Sequence, residues 1–128
     1  MPHITIEYTP NLADEIRQTD LVGAVHQAAA DTQVFPLWGI RTFARAAELS
    51  TVAHGDPAVG FIQITVRIAP GRDLATRQRV TKTLFDTVLQ RMEAVRAQRE
   101  LGIQLEVTEF DKEVCLHWNN LTTPRDDA

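Results

Sequence analysis

Residues 62–68 read IQITVRI, and their alternation decides the fold. Aliphatic side chains occupy every second position, and polar ones stand between them. This period of two predicts a strand with one buried face, because successive side chains point to opposite sides of a sheet. Pro70 and Gly71 follow and interrupt the pattern. The stretch therefore predicts a strand that is covered on one side and ends before residue 70.

ITIEY at residues 4–8 alternates in the same way and predicts a second half-buried strand. Residues 9–20 are polar and rich in turn formers, so they are interpreted as a loop. The helical spacing of apolar residues then predicts a helix over about 21–31, with Asp20 as its N-cap. Residues 40–46 alternate more weakly and predict another strand, which completes a strand–helix–strand unit.

The second half of the chain has the same order of elements. Asp73 can cap a long helix that reaches about Arg99, and Gly102 is expected to end that helix. Residues 103–107 then alternate and predict the last strand. The chain therefore consists of two strand–helix–strand units.

Short similarities between the two halves support an internal duplication. They are ITI at 4–6 with IQI at 62–64, and GI at 39–40 with GI at 102–103. The prediction is a single domain over residues 1–128, built from two β-α-β halves at about 1–57 and 58–128.

The predicted fold class is α+β. Within each half, a right-handed crossover connection joins two parallel strands. The two pairs form a four-stranded mixed sheet with both helices on one face. Nothing left in the chain is suited to cover the other face, which predicts self-association with the sheets lining a shared interior.

Composition limits the classes of function. The net charge is −4 and no basic stripe is present, which argues against nucleic acid as a partner. No apolar run reaches the roughly 18–20 residues that cross a bilayer, and the first residues do not resemble an export signal, so no membrane contact and a cytoplasmic location are expected. The single Cys115 excludes an intramolecular disulfide and is expected to be packed. No Cys/His spacing predicts a metal site.

Pro2 stands directly in front of the first strand and has two interpretations. Strand edges tolerate proline, so position 2 can be without functional meaning. If Met1 is removed, however, the ring nitrogen of Pro2 becomes a free secondary amine. An α-amino group has a reference pKa near 8, and burial or neighbouring arginines lower it towards neutrality. Such an amine is a competent general base at pH 7.

Arg41 and Arg72 lie at the ends of predicted elements, where binding groups concentrate on a rigid scaffold. The planar guanidinium pairs with carboxylates through two hydrogen bonds, so both residues are candidates for binding an acid. The alternative is that each is a surface arginine that pairs with a neighbouring acidic residue.

Other candidate groups lie at the two ends of the chain. His3 is adjacent to Pro2 and could reach a site there. In the stretch CLHWNNL, which includes His117, Trp118 could supply an apolar wall, and Asn119 or Asn120 could supply hydrogen bonds.

Three motifs give the chain a family resemblance. MPHITIEYTPNL, FPLWGIR and IAPGRDLATRQ, in this order, resemble the 5-carboxymethyl-2-hydroxymuconate isomerase family of the tautomerase superfamily. The resemblance covers nearly the whole chain. It implies a homotrimer of duplicated β-α-β units, a catalytic amino-terminal proline, and a cofactor-free step in the bacterial breakdown of homoprotocatechuate, an aromatic acid.

The resemblance also implies roles for individual residues. Pro2 matches the proline base of the family, and Arg41 in GIR and Arg72 in PGR match its two arginines. HWNNL keeps the paired asparagines, although its flanking residues differ. The implied substrate is an unsaturated 2-hydroxy or 2-oxo acid with two or three carboxylates. Pro2 would move a proton within it while the arginines hold its oxygens.

Two other interpretations stay open. One is a different reaction of the same superfamily, decarboxylation or a hydration linked to dehalogenation, for which Glu106 or Glu109 could activate water. The other is a non-catalytic trimeric binding protein. It follows if Met1 is retained, because an acylated proline nitrogen is an amide and cannot act as a base.

Overall fold

The computed structural model describes residues 1–121 of the chain, so the end of the predicted second half, residues 122–128, lies outside it. The strands are β1 (His3–Tyr8), β2 (Arg41–Ala46), β3 (Gly60–Ile68) and β4 (Leu101–Glu109). The helices are α1 (Ala13–Gln18), α2 (Leu21–Asp31), α3 (Leu74–Arg91) and α4 (Glu93–Gln98).

The four strands form one mixed sheet in the order β2-β1-β3-β4. β1 runs parallel to β2, β3 runs parallel to β4, and the two central strands β1 and β3 are antiparallel. The two parallel pairs are those expected from strand–helix–strand connections. The predicted fold class, a four-stranded mixed sheet with the long helices on one face, is confirmed.

The alternating side chains make the core between the sheet and the helices. The even-numbered aliphatic residues of β1 and β3 pack against apolar residues of α2 and α3, and all of them are nearly or completely buried. They are Ile4, Ile6, Ile62, Ile64, Val66 and Ile68 on the strands, and Leu21, Val25, Val80, Leu84 and Val88 on the helices. This burial holds the central strands rigidly, so their ends are fixed points for a site.

Asp20 and Asp73 are the N-caps of the two long helices α2 and α3, as predicted. Asp20 has a left-handed backbone, with φ of 49°, and its carboxylate accepts a hydrogen bond from the Gly23 N–H at 3.3 Å. The Asp73 carboxylate accepts one from the Thr76 N–H at 2.8 Å. Both satisfy amide groups of a first helical turn that have no partner within the helix.

The interpretation of residues 9–20 as a loop is wrong. A 3-10 turn at Pro10–Leu12 leads into α1, and Leu12 and Ile16 are buried against the core. Two apolar residues four positions apart are enough to fix one helical turn when the core covers them. Their polar neighbours conceal this pattern in the sequence.

The long helix predicted to reach about Arg99 does extend to Gln98, but it is interrupted at Met92, which separates α3 from α4. Met92 has φ of −95° and ψ of 12°, and its side chain is completely buried. The Arg96 guanidinium donates to the Leu89 carbonyl across this interruption, at 3.2 Å. The helical segments therefore end at Gln98 rather than at a glycine.

Gly102 does not end a helix but lies inside β4, opposite Phe61 of β3. A Cβ atom at this position would come within 2.5 Å of the Phe61 ring. The glycine is there because the aromatic ring occupies the space where a side chain would stand. Cys115 is exposed, so the expectation that it is packed is wrong as well.

The sheet face opposite the helices, hereafter the open face, is polar and carries several charges. Adjacent register positions place Arg41, His3 and Arg67 in one row across three strands. The next row includes Phe43, whose side chain is 55% exposed. Among residues 1–121 no helix covers this face, as the sequence predicts.

Candidate active site

The strand order brings three chain segments to one edge of the sheet. The start of β1 lies beside the start of its parallel neighbour β2 and beside the end of its antiparallel neighbour β3. Pro2 precedes β1, Arg41 begins β2, and Arg72 follows β3. Topology therefore brings together the three residues that the sequence singles out.

Pro2 is buried at this edge, between strands on both sides. Its carbonyl oxygen accepts a hydrogen bond from the Arg41 N–H at 3.2 Å, which extends the parallel ladder by one residue. The ring nitrogen carries no hydrogen in the unprocessed chain, so Pro2 takes part in the ladder only through its carbonyl oxygen. Pro2 is thus held in place by the same sheet that forms the core.

The Arg41 guanidinium is fixed towards the amino terminus. Its Nε donates to His3 Nδ1 at 2.9 Å, and its Nη2 lies 3.0 Å from the Met1 Sδ. One end of the guanidinium is therefore anchored on β1, and the other end is directed at the space that the first residue occupies.

The Arg72 guanidinium is held from the opposite side by backbone oxygens and by an aromatic ring. It donates to the carbonyls of Ala69 and Val34, each at 3.3 Å, and its central carbon lies 4.9 Å from the centre of the Phe35 ring. These are neutral partners, so they orient the cation and leave its charge uncompensated.

This environment lowers the pKa of the Met1 amine. Burial, and next the positive charges of Arg41 and Arg72, lower the pKa of the Met1 amine below its usual value of 8.0. None of the ion pairs among residues 1–121 involves Arg41 or Arg72. Two guanidinium groups without carboxylate partners, beside a half-buried chain terminus, make a binding site for an anion.

A short turn shapes the space beside Pro2. Residues Leu37–Gly39 form a 3-10 turn that leads into β2. A Cβ atom on Gly39 would collide with the Met1 backbone nitrogen, so only glycine permits this approach. The turn therefore forms a wall of the space next to the amino terminus.

Replacing Gly39 by alanine is expected to lower kcat/KM of the isomerase reaction by about tenfold, because small displacements of reacting groups have effects of this size or larger. Once Met1 is removed, the added methyl group fills the space beside the Pro2 nitrogen. The measurement is the rate per folded protein. Gly102→Ala is the control: it collides with Phe61 away from the site, so it should lower thermal stability and leave kcat/KM unchanged. A wild-type rate for Gly39→Ala would contradict this assignment.

Trp118 and Asn119, the other predicted binding residues, lie in the segment after β4. The Trp118 side chain is 82% exposed, and Asn119 is half-buried with its amide contacting His117 and its Oδ1 accepting from the Leu121 N–H at 2.9 Å. The His117 ring contacts Trp38 edge-to-face, with the ring centres 6.2 Å apart. The segment thus reaches the turn that leads to Arg41, while a substrate-binding role for Trp118 and Asn119 stays a prediction.

Glu106 and Glu109, offered for a hydration or decarboxylation reaction, are both exposed on the edge strand β4. Glu106 lies on the open face beside Thr65, and Glu109 lies beside Ile68 at the end of β3. The whole width of β3 separates them from Pro2, and nothing in their surroundings favours a role in activating water.

Some contributors to the site cannot be identified from the sequence. The Phe35 ring beside Arg72, the Val34 carbonyl and Gly39 all lie in or next to the FPLWG motif at 35–39, which marks the segment but not the role of each residue. The pairing of His3 with Arg41 depends on the strand register, which the sequence alone does not specify.

A separate apolar cavity of about 410 Å³ lies at the other end of β1 and is lined by residues such as Tyr8, Val52 and Phe61. No arginine lines it, so it does not suit a carboxylate. Within residues 1–121, no group of three or more His, Cys, Asp or Glu side chains could hold a metal ion. None of the helices in this part of the chain has the length and apolar character to cross a membrane.

The fold places the protein in a class of known structures. A four-stranded mixed sheet with helices on one face is the fold of the tautomerase superfamily. A fused 4-OT solved as a symmetric trimer shares this fold, with 14% identity, a TM-score of 0.65, and coverage of 88% of this chain and 91% of that one.

The chain belongs to the 5-carboxymethyl-2-hydroxymuconate isomerase family, whose family model matches residues 2–124. The 5-carboxymethyl-2-hydroxymuconate Delta-isomerase of Escherichia coli is 28% identical over 121 residues, which are 94% of this chain and 96% of that protein. A crystal structure of a 5-carboxymethyl-2-hydroxymuconate isomerase from Deinococcus radiodurans is 29% identical, with a TM-score of 0.85 and coverage of 93% and 90%. The resemblance found in the sequence is confirmed, and the protein is an isomerase.

Proposed function

We propose that the protein is a cofactor-free isomerase that moves a proton within an acid similar to 5-carboxymethyl-2-hydroxymuconate, with Pro2 as general base once Met1 is removed. The observation that carries the proposal is the position of Pro2, buried at the edge of the sheet where burial and the positive charges of Arg41 and Arg72 lower the pKa of the adjacent Met1 amine. Family membership supplies the substrate class. A place in the breakdown of homoprotocatechuate is part of the proposal.

The proton transfer uses the neutral form of the Pro2 amine. Its lone pair takes a proton from one position of the conjugated acid, which leaves a dienolate and a protonated proline. The protonated proline then returns the proton to another position, so the amine is regenerated and the substrate is isomerised. Nothing is consumed, because the same group is acid and base in turn.

The two arginines bind the substrate and stabilise the charge that develops. Arg41 and Arg72 face the space beside Pro2 without carboxylate partners, so a substrate carboxylate and the 2-oxo oxygen can each receive guanidinium hydrogen bonds. A preorganised donor of this kind contributes about 3–4 kcal/mol to the transition state. The negative charge of the dienolate is thus distributed over groups that are already in place.

The same proposal includes a homotrimer. The open face carries Phe43 at 55% exposure and the row of Arg41, His3 and Arg67, with no covering element among residues 1–121. A sheet face is normally covered, and closed rings of copies are a common way to cover it. In this arrangement the sheets line a shared interior, and the site lies near the boundary between copies.

The test is the ketonisation of 5-carboxymethyl-2-hydroxymuconate, monitored by ultraviolet absorbance, together with the intact mass of the same preparation. The protein is purified without a tag at its amino terminus. We expect a mass that lacks methionine and a catalysed rate. A preparation that keeps Met1 and still turns over the substrate would exclude Pro2 as the base, and a processed but inactive preparation would exclude the substrate class.

A further inference from the structure

We propose that His3 is a positioning residue for Arg41, whose guanidinium it orients through the hydrogen bond from Arg41 Nε to His3 Nδ1. The inference rests on the proposed function and names a residue that acts through one of its arginines. His3 does not contact the substrate in this proposal. It determines where the free end of Arg41 points.

The geometry favours an orienting role. His3 and Arg41 are register partners on the parallel strands β1 and β2, and the bond between them is 2.9 Å long. Nε is the guanidinium nitrogen that is bonded to the aliphatic part of the side chain, while the two NH2 groups lie at the far end. Holding it in place fixes the plane of the group and leaves the terminal NH2 groups free for a ligand. One of them, Nη2, is already directed at the first residue.

The imidazole is itself held from several sides. Its ring meets the Phe43 ring edge-to-face, with centres 5.0 Å apart and planes at 86°. Arg67 of β3 lies beside it in the register, on the side opposite Arg41. His3 is therefore a packed side chain with its position determined by two neighbouring strands.

The charged groups around His3 keep it neutral. Those that face it are Arg41 and Arg45 on β2 and Arg67 on β3, and Arg45 also pairs with Glu7 of β1 at 3.5 Å. Burial, and then these three cations, lower the pKa of His3 below its usual value of 6.5. Nδ1 can accept from Arg41 only in the neutral ring, with the proton on Nε2. The bond is therefore present at neutral pH and is lost as the pH falls through this lowered pKa.

The experiment compares His3→Ala with His3→Asn. Alanine removes the acceptor, and we expect kcat/KM to fall about 10- to 100-fold, since misplacement of a binding group has effects of this size. The asparagine Oδ1 takes the place of Nδ1 and cannot be protonated, so His3→Asn should recover most of the rate. An alanine variant with the wild-type rate, or an asparagine variant as slow as alanine, would overturn the proposal.

His26→Ala is the matched control. His26 is also half-buried, and its Nδ1 lies 2.9 Å from the Thr42 hydroxyl, on the side of β2 that faces the helices. Removing it costs a comparable hydrogen bond without touching Arg41, so kcat/KM should stay unchanged. A loss in this variant equal to that of His3→Ala would mean that both act through stability, and the proposal would fail.

The pH dependence of kcat/KM distinguishes a positioning role of His3 from a purely structural one, which would leave the slope of the acid limb unchanged. In the wild type, protonation of both the Pro2 amine and His3 should make the acid limb of kcat/KM steeper than one proton. In His3→Asn the limb should return to a one-proton slope. An unchanged slope would overturn the proposal, and this test holds even where His3→Ala does not fold.

Detection of the bond itself separates this inference from the proposed function. The Arg41 Nε–H resonance should be protected from solvent exchange in the wild type and in His3→Asn, and exposed in His3→Ala. Protection without isomerase activity would refute the proposed reaction and keep the bond. Activity without protection would refute the role of His3 alone.

Discussion

Replacing Pro2 by alanine is expected to lower kcat for ketonisation by about 100-fold or more, within the range that a general base contributes. Alanine at position 2 still permits removal of Met1, so the variant presents a primary amine in place of a secondary one. That amine is less basic and is no longer held by a ring in the edge of the sheet. The measurement is the single-turnover rate, with intact mass as proof of processing.

Pro57→Ala is a suitable control, because Pro57 is exposed in the turn before β3 and lies at the opposite end of the sheet from Pro2. It should have the wild-type rate. A Pro2→Ala variant that is processed, folded and as fast as Pro57→Ala would show that the amine is not the base.

Replacing Arg72 by alanine is expected to lower kcat/KM by about 100-fold, as for loss of one preorganised donor. It should also change the pH dependence. The positive charge of Arg72 is one of the causes that lower the pKa of the Met1 amine, after burial and Arg41. We expect the same charge to lower the pKa of the Pro2 amine once Met1 is removed. Removing this cation favours the protonated amine and raises the pKa, so the acid limb of kcat/KM should move to higher pH.

Arg79→Ala is the matched control for Arg72. Arg79 donates to the Thr32 carbonyl at 3.3 Å, much as Arg72 donates to Val34 two residues further along the same segment. Its loss removes a comparable contact and leaves the site charge intact. An acid limb that moves equally in both variants, or in neither, would contradict the electrostatic role assigned to Arg72.

The sequence predicts those parts of the fold whose elements have a recognisable local pattern of residues. The alternation of β1 and β3, and the caps at Asp20 and Asp73, require only local physics. The short helix α1 and the interruption at Met92 depend on contacts with the core, so they have no local signal. The duplication suggested by the short similarities stays a prediction.

The candidate site shows the same limit. Pro2, Arg41 and Arg72 stand out in the sequence because each lies at the end of an element, and the resemblance connects them. What the sequence could not supply is the register that places His3 beside Arg41, or the turn that brings Phe35 under Arg72. Both require knowledge of which strands are neighbours, and this follows from the packing of the whole sheet.

The central place of β1 has a consequence for how the protein is made. β1 is the first strand to be synthesised, yet both of its neighbours come later: β2 ends at residue 46, and β3 ends at residue 68. Until the ribosome has delivered both, the amino terminus has no sheet to enter and stays open to an aminopeptidase. For the proposed removal of Met1, the order of the strands in the chain therefore leaves a period during synthesis in which the first residue is accessible, before folding buries Pro2.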